Sequence, residues 1–439
     1  MSTPTTGTGR TRPLVLRNRA FGTVWLGQVL TQAAVRMFQV GVSWWLVAYA
    51  VSSGRGLASG LFMAVSTLPA VTLAPVVARA IARFAHRSLL RTAAGAAGAT
   101  AAALALWAGT SNLPLAAAYA ATLALATCQA FFDPCLTTSV PELVDDEDIE
   151  AATGFELSTQ SLASLGGALL GALIVDRAGV AGLAVGCATA YLCAAALIAT
   201  ARFRTAPAEG AEAAEATGEG AEARRTLRQV LADLPFVRKI LVCFAAANLF
   251  TTAVFVIIPL YTRSSLQGGG GTVALLEASL GAGTLIGSFT GARVPGRPTV
   301  VGSLCLGTMA VALALPGLIA ERPVIAGCLA VAGWCVGVIG VRFVALFQRL
   351  VPTSDKPAFF AVMQALLGAT FPVASLLFGL LGDHLSAQTL CLIQAAGLVP
   401  AACALALLHE SATTTDTEAA AADAPASGSR PMADAGGAR

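Results

Sequence analysis

Charged residues are scarce in this chain of 439 residues. They make up 12% of the sequence, whereas soluble domains carry about 25%. Hydrophobic residues make up 56%, and the mean hydropathy is +0.75. The net charge is only +3, and the basic residues are scattered at the ends of apolar runs, which argues against a nucleic-acid partner. This composition excludes an ordinary soluble domain and indicates an integral membrane protein.

Histidine is almost absent, and the motifs of catalysis are missing. The three histidines, His86, His384 and His409, lie at loop edges. We find no metal-ligand spacing, P-loop or nucleophile motif, so we expect no enzymatic activity, ATP hydrolysis, cofactor or metal. The ten cysteines lie in or beside apolar runs without a CxxC pair, which is typical of small buried side chains rather than of disulfides.

Twelve apolar runs are long enough to cross a bilayer, which takes about 20 residues. Residues 1–21 form a polar N-terminal tail without the pattern of a cleaved signal peptide. The predicted spans are 22–49, 57–81, 88–108, 114–132, 152–175, 179–200, 237–262, 272–292, 299–319, 324–347, 358–381 and 387–408. The sequence therefore predicts an all-α integral membrane protein with twelve transmembrane helices.

A polar interruption divides these spans into two sets of six. Residues 202–236 are rich in Ala, Gly, Glu and Arg, which predicts a linker rather than a packed domain. The end of the linker, from Leu227 to Leu234, is amphipathic and is predicted to form an interfacial helix. We expect an N-terminal half at 22–201, a C-terminal half at 237–409 and a disordered tail at 410–439.

The distribution of basic residues predicts the orientation. With both termini in the cytoplasm, 21 of the 27 Lys and Arg residues lie on the inner side. Arg36 and Arg342 lie within spans, and only four lie outside, which are Arg55, Arg177, Arg263 and Arg322. The positive-inside rule thus places both termini, the linker and the tail in the cytoplasm. We expect the protein to lie in the inner (plasma) membrane.

The two sets of six spans share an internal repeat. Val140-Pro141, a charged turn and a span ending at Asp176 correspond to Val351-Pro352, a charged turn and a span ending at Asp383. Spans 4 and 5 therefore match spans 10 and 11. Two parallel six-helix repeats are typical of alternating-access carriers, which bind substrate near the midplane between the halves.

Three segments carry a resemblance to a known family. They are Phe21-Gly-Thr-Val-Trp-Leu-Gly-Gln28, the stretch from Phe131-Phe-Asp-Pro134 to Val140-Pro-Glu-Leu-Val144, and Leu346-Phe-Gln-Arg-Leu-Val-Pro352. With these segments the chain resembles the major facilitator superfamily, and within it the multidrug, macrolide and siderophore efflux branch that includes enterobactin-exporter-like proteins. The resemblance implies efflux of a small molecule driven by proton entry.

The loop between spans 2 and 3 departs from the pattern of that family. Arg83 and Arg87 match its basic gate residues, but Ala82 replaces its acidic residue. The inner gate is therefore expected to be held by other contacts. The span 5 segment Gly166-Gly-Ala-Leu-Leu-Gly171 also lacks the proline that the resemblance leads us to expect.

A polar stripe runs along span 1. Gln28, Gln32, Arg36 and Gln39 are spaced four, four and three residues apart and so share one helical face, which we expect to line a wet cavity. Arg36 lies roughly 20 Å from the start of the span and requires a partner at that depth. Two interpretations remain open: Arg36 binds an anionic or polar group of the substrate, or it forms a structural pair.

Two carboxylates are candidates for proton coupling. Glu156 shares a face of span 5 with Gln160, a further cavity candidate, and Glu277 lies near the outer end of span 8. A buried carboxyl group exchanges protons near neutrality more readily than an exposed one. The alternative for each is a residue at the membrane edge that contacts water.

Several other polar residues have both a functional and a structural interpretation. The Phe-Phe-Asp-Pro pattern predicts a turn in which Asp133 is a helix-end or gate residue. Arg342 is predicted to extend its side chain to the inner surface. The C-terminal half offers four cavity candidates that helix packing would also explain. These are Asn248, Thr252, Phe255 and Gln364.

The leading hypothesis is a secondary carrier, acting as a monomer, that exports an amphipathic small molecule in exchange for protons. The alternatives are an uptake carrier for a small polar solute and a transport-dead sensor or assembly partner of the same fold.

Overall fold

The structure is a computed structural model that describes residues 14–144, 148–201, 203, 235–351 and 356–422. Within these ranges the side chains at 14, 16, 149–161, 164, 356–358, 361–362 and 409–422 are not described. The predicted linker at 202–236 lies outside the described residues except for Phe203 and the last two positions. Residues 423–439 of the predicted tail also lie outside them.

The described chain contains twelve long helices, six in each half. The first six are α1 (Arg19–Trp45), α2 (Arg55–Thr72 and Ala74–Arg83), α3 (His86–Thr110), α4 (Leu115–Leu143), and α5 and α6, which share the segment Ile149–Thr200. The second six are α7 (Pro235–Thr251 and Val254–Ser264), α8 (Gly270–Thr290), α9 (Pro298–Ala314), α10 (Arg322–Leu350), α11 (Lys356–His384) and α12 (Ala387–Ala422).

Local breaks divide or bend three of these segments. Helix α2 bends by 51° between Thr72 and Ala74, where Pro75 lies in the first turn of the second part. Gly179 separates α5 from α6 with a φ of 67°, which glycine adopts without a steric penalty. Helix α7 breaks after Thr251, where the Thr252 hydroxyl donates to the Asn248 carbonyl at 2.7 Å, a bond that typically bends helices.

Most of the described helices have the length and composition of membrane spans. Nine qualify, and α2 makes a tenth if its bent parts count as one span. Helix α4 extends to Leu143, eleven residues beyond the predicted end at 132. The Phe131–Pro134 segment is therefore helical, and the predicted turn at Asp133 is corrected. Membrane helices tolerate a proline such as Pro134 because other groups satisfy the freed backbone atoms.

Glycine contacts hold the helices of each half together. In the C-terminal half, Gly283 and Gly287 of α8 lie against the backbone of Ala330 and Trp334 of α10. Gly333 and Gly337 of α10 lie against α8 in return. Small residues allow two membrane helices to approach closely, so α8 and α10 pack backbone against backbone.

The two halves meet towards one end of the bundle. We call the end with Arg19, Leu143 and Pro235 the terminus side, and the end with the α1–α2, α7–α8 and α11–α12 connections the far side. On the far side α2 packs on α11 and α5 packs on α8. Gly60 of α2 lies against the Ser375 carbonyl and the Gly379 backbone. The far side is therefore closed by direct helix contact between the halves.

Candidate substrate and coupling site

Arg36 lies in the middle of α1 and has three partners. Its Nη1 donates to Gln39 Oε1 at 2.9 Å, and its Nη2 lies 3.6 Å from Glu277 Oε2. Its guanidinium carbon also lies 5.2 Å from the ring centre of Phe255, within cation–π range. The predicted need for a partner is thus met by a carboxylate, an amide and an aromatic ring.

Glu277 supplies the carboxylate from the other half of the molecule. It lies about two turns into α8, and its side chain is 5% exposed while that of Arg36 is 24% exposed. At 3.6 Å the pair is longer than a hydrogen bond, which falls at about 2.7–3.2 Å. The contact is therefore an electrostatic one between the halves rather than a hydrogen bond.

A cavity of about 330 Å³ surrounds this pair. Its lining joins both halves and combines the two charged groups with apolar side chains and hydroxyls. The lining residues are Arg36, Leu165, Ala168, Phe255, Glu277, Leu280, Gly281, Thr284, Leu285 and Ser288. A mixture of this kind suits an amphipathic molecule, because the apolar surface binds its body while the few polar groups orient it.

A second cavity of about 210 Å³ lies on the other side of α1. It is bounded by α1, α2, α4 and α6, and Gln39, Thr122, Gln129, Asp133 and Tyr191 are among its lining residues. Gln39 therefore connects the two cavities, since it also accepts the hydrogen bond from Arg36. The polar stripe of α1 separates one cavity from the other.

Asp133 is held inside the N-terminal half. Its Oδ1 accepts a hydrogen bond from Gln32 Nε2 at 2.7 Å and another from the Gln129 amide. The structure thus places Asp133 well before the end of α4, at a cavity wall, rather than in a terminal turn. Gln32 contributes to this carboxylate network and not to the Arg36 pair.

The remaining cavity candidates occupy different surroundings. Gln28 is buried and is not among the residues that line these two cavities. Asn248 donates to the Leu367 carbonyl at 3.0 Å and to Thr370 Oγ1 at 2.6 Å, so together with Thr252 it supports packing around the α7 break. Gln364 is exposed on α11. The side chains of Glu156 and Gln160 lie outside the described residues.

The predicted gate arginines make contacts within single halves. Arg87 donates to the Ala199 carbonyl at the end of α6, and Arg342 donates to the Gly296 carbonyl in the α8–α9 connection. Arg83 is exposed at the end of α2. All three lie on the terminus side.

Sequence reasoning missed the contacts of two far-side carboxylates. Asp176 and Asp383 stood out only as the ends of the repeated segment. In the structure each accepts hydrogen bonds from the first turn of a helix in the opposite half. Only the matching positions in the two repeats signal this role in the sequence.

Comparisons with known proteins agree with this architecture. A family model described as Major Facilitator Superfamily matches residues 24–319. No curated protein is similar enough in sequence to count as a relative.

Several solved structures share the fold at low sequence identity. An auto-inhibited POT family peptide transporter has a TM-score of 0.69 at 13% identity, covering 89% of this chain and 97% of its own. A D-xylose–proton symporter has 0.67 at 14%, covering 88% and 96%. A bacterial homologue of the iron transporter ferroportin has 0.67 at 13%, covering 89% and 98%.

These findings confirm the predicted class of the protein. The all-helical membrane fold with twelve helices and the expectation of a carrier rather than an enzyme are confirmed, because the family consists of transporters of small molecules. The family match spans more than half of the sequence. The chain therefore belongs to the major facilitator superfamily.

Proposed function

We propose that this transporter exports an amphipathic small molecule, such as a drug, an antibiotic or a siderophore-like metabolite, in exchange for protons. The observation that carries the proposal is the pair of Arg36 and Glu277, which joins the two halves at a cavity wall. The apolar part of the cavity, with Phe255 and Leu280, would bind the body of the substrate. Glu277 would carry the proton.

The position of the pair explains how a proton would alter the conformation. Protonation of Glu277 removes its charge and with it the attraction to Arg36 across the halves. Arg36 keeps the Gln39 amide and the Phe255 ring as partners within reach. Protonation therefore changes the free energy of the conformation in which the halves are close at the Arg36–Glu277 pair, relative to the one in which they are apart there.

The charge of the substrate determines the direction of coupling. A cationic or hydrogen-bond-donating group that binds the Glu277 carboxylate competes with the proton, so substrate and proton bind in turn, which is exchange. An anionic group would instead take Arg36 from Glu277, and the buried carboxylate would then favour a proton as its new partner. Anion and proton would bind together, which is cotransport.

This second linkage supports one alternative function, proton-coupled uptake of a small anionic or polar solute. The specific observation in its favour is that Arg36 is partly exposed towards the cavity whereas Glu277 is buried. For export, the geometry favours a substrate with a cationic or donating group. For uptake, it favours an anionic substrate.

We place the protein in the plasma membrane with both termini in the cytoplasm, as the positive-inside rule predicts. The far side is then the outer side. Its closure by helix contacts corresponds to a conformation in which the central site is separated from the outside. We propose a monomer as the transporting unit, because the two six-helix halves that flank the central site belong to the same chain.

The test is proton-coupled flux in inside-out vesicles with an acidic interior. Cationic, neutral and anionic amphiphiles of matched hydrophobicity are added, and uptake and internal pH are followed for the unaltered protein, Arg36→Met and Glu277→Gln. Glu321→Gln is the control, since Glu321 is an exposed acid at the start of α10. We expect a cation to enter while the interior becomes more alkaline, and Glu277→Gln to abolish that proton movement.

Three outcomes would contradict the export proposal. Movement of an anion and a proton in the same direction would support the uptake alternative. Unchanged proton movement in Glu277→Gln would remove Glu277 from the coupling step. An absence of flux for the whole panel, with the protein shown to be folded, would favour the transport-dead sensor or assembly partner.

A further inference from the structure

Helices α2 and α8 begin without a side-chain cap of their own. The residue before α2 is Gly54, with a φ of 72°, and the residue before α8 is Gly269. Neither glycine has a side chain that accepts a hydrogen bond from the first turn, where the backbone N–H groups of a helix lack partners. Ser, Thr, Asp or Asn usually fills this position.

The missing acceptors come from the opposite half. Asp383 at the far end of α11 accepts from the Gly56 N–H at 2.7 Å through Oδ1 and from the Leu57 N–H at 3.1 Å through Oδ2. Asp176 at the far end of α5 accepts from the Gly270 N–H through Oδ2. A carboxylate at a helix N-terminus also interacts favourably with the helix dipole.

The two contacts are equivalent in the internal repeat. Asp176 and Asp383 end the matching helices α5 and α11, and they cap the matching helices α2 and α8 crosswise. Each half therefore gives one carboxylate and receives one. Glycines make the approach possible, because Gly56 lies against the backbone of Gly379 and Gly382, and Gly270 lies against the Ala172 carbonyl.

Asp176 is held in place by its own half. Its Oδ1 accepts from Trp44 Nε1 at 2.6 Å, at the far end of α1, and from the Tyr49 hydroxyl at 2.9 Å, in the turn that follows α1. These bonds join residues of one half and would persist when the halves separate. The bond to Gly270 is the one that crosses between the halves and would break.

We propose that Asp176 and Asp383 form a reciprocal latch that holds the far side closed and opens once in each transport cycle. Separation of the halves on this side leaves two helix N-termini without their caps and two carboxylates without those donors. The closed state is stabilised accordingly. From typical cap strengths, loss of one carboxylate should raise the open fraction about fivefold, and loss of both about 25-fold.

Local capping and a latch make different predictions. Loss of a local cap would loosen only the helix that it caps. Loss of one latch contact would also loosen the other, because the halves move apart as bodies. In a latch the starts of α2 and α8 therefore loosen together, although each contacts a different carboxylate.

The experiment is hydrogen–deuterium exchange of the full chain in lipid nanodiscs, read by mass spectrometry in peptides that cover residues 55–60 and 270–275. The variants are Asp383→Ala, Asp176→Ala and the double variant. Glu321→Ala on the same side is the control. We expect each single variant to accelerate exchange about fivefold in both peptides, and the double variant to do so about 25-fold.

A rescue variant separates the two explanations further. Gly269→Ser combined with Asp176→Ala gives α8 a cap of its own. The latch predicts that the peptide 55–60 still exchanges fast in this variant. Acceleration confined to the peptide beside each substituted residue, or full recovery of both peptides on rescue, would overturn the proposal. Since no substrate is involved, failure here is distinct from failure of the flux experiment.

Discussion

The central pair and the far-side latch connect the same two halves through carboxylates, but with different partners. At the centre, Glu277 faces a guanidinium at 3.6 Å. On the far side, Asp383 binds backbone N–H groups at 2.7 and 3.1 Å. The first contact is long and lies at a cavity wall, whereas the second consists of short hydrogen bonds at a helix start.

This difference separates the tasks of the two regions. A proton or a substrate group is able to replace either member of the central pair, since both members are charged side chains with space beside them. The backbone N–H groups of α2 and α8 do not titrate, and their position is fixed by the helices. The central pair is therefore suited to respond to protons and substrate. The far-side contacts, in contrast, form when the halves come together on that side and break when they separate.

The largest effect is expected from removing one charge of the central pair. Arg36→Met leaves Glu277 buried without its charged partner, which lowers the free energy of unfolding by about 3–5 kcal/mol. The double variant Arg36→Met/Glu277→Leu should recover most of that loss but not proton-coupled transport. The measurement is denaturant unfolding in detergent together with the flux assay. Equal destabilisation in the single and double variants would contradict a paired role.

A smaller effect is expected from obstructing the far-side contact. Gly60 lies against the Ser375 carbonyl, so the side chain introduced by Gly60→Val pushes α2 away from α11. We expect the free energy of the closed arrangement to rise by about 1–3 kcal/mol. We expect faster exchange in residues 55–60 and slower transport with unchanged overall folding. Gly95→Val is the matched control, because no atom lies within 4 Å of the added carbon there. Identical behaviour of the two variants would show that close α2–α11 contact is unnecessary.

The smallest effect should follow from the loss of the aromatic partner of Arg36. Phe255→Leu removes the ring 5.2 Å from the guanidinium but keeps an apolar side chain, which weakens the contact by about 0.5–2 kcal/mol. Substrate affinity should fall about twofold to thirtyfold. Proton coupling should persist, since Glu277 remains. Phe289→Leu, at a ring that is 74% exposed on α8, is the control and should leave affinity unchanged.

The sequence predicted the fold because its signals are local. Long apolar runs mark each helix, and the polar interruption with the repeat marks the two halves. Helix ends were less predictable, as α4 shows, because Pro134 resembles a helix stop in the sequence while the surrounding helices accommodate it. The helix α12 likewise continues to Ala422, beyond the predicted end at 408.

The site was predictable only in part because its contacts join distant segments. The polar stripe of α1 showed that Arg36 required a partner, but nothing nearby identified Glu277, 241 residues further on. The spacing also suggested one role for the whole stripe. In the structure Gln32 binds Asp133 while Arg36 faces the other cavity. Two cavities flank α1, so side chains on one helical face point into different surroundings.

The crosswise caps of α2 and α8 have a consequence for the separated halves. Residues 1–201 contain α2 without Asp383, and residues 237–439 contain α8 without Asp176. A half produced by itself thus exposes an uncapped helix start and a strip of glycine backbone to lipid. We therefore expect two separately expressed fragments to restore the closed arrangement when they meet, since the crosswise contacts join surfaces of the two halves.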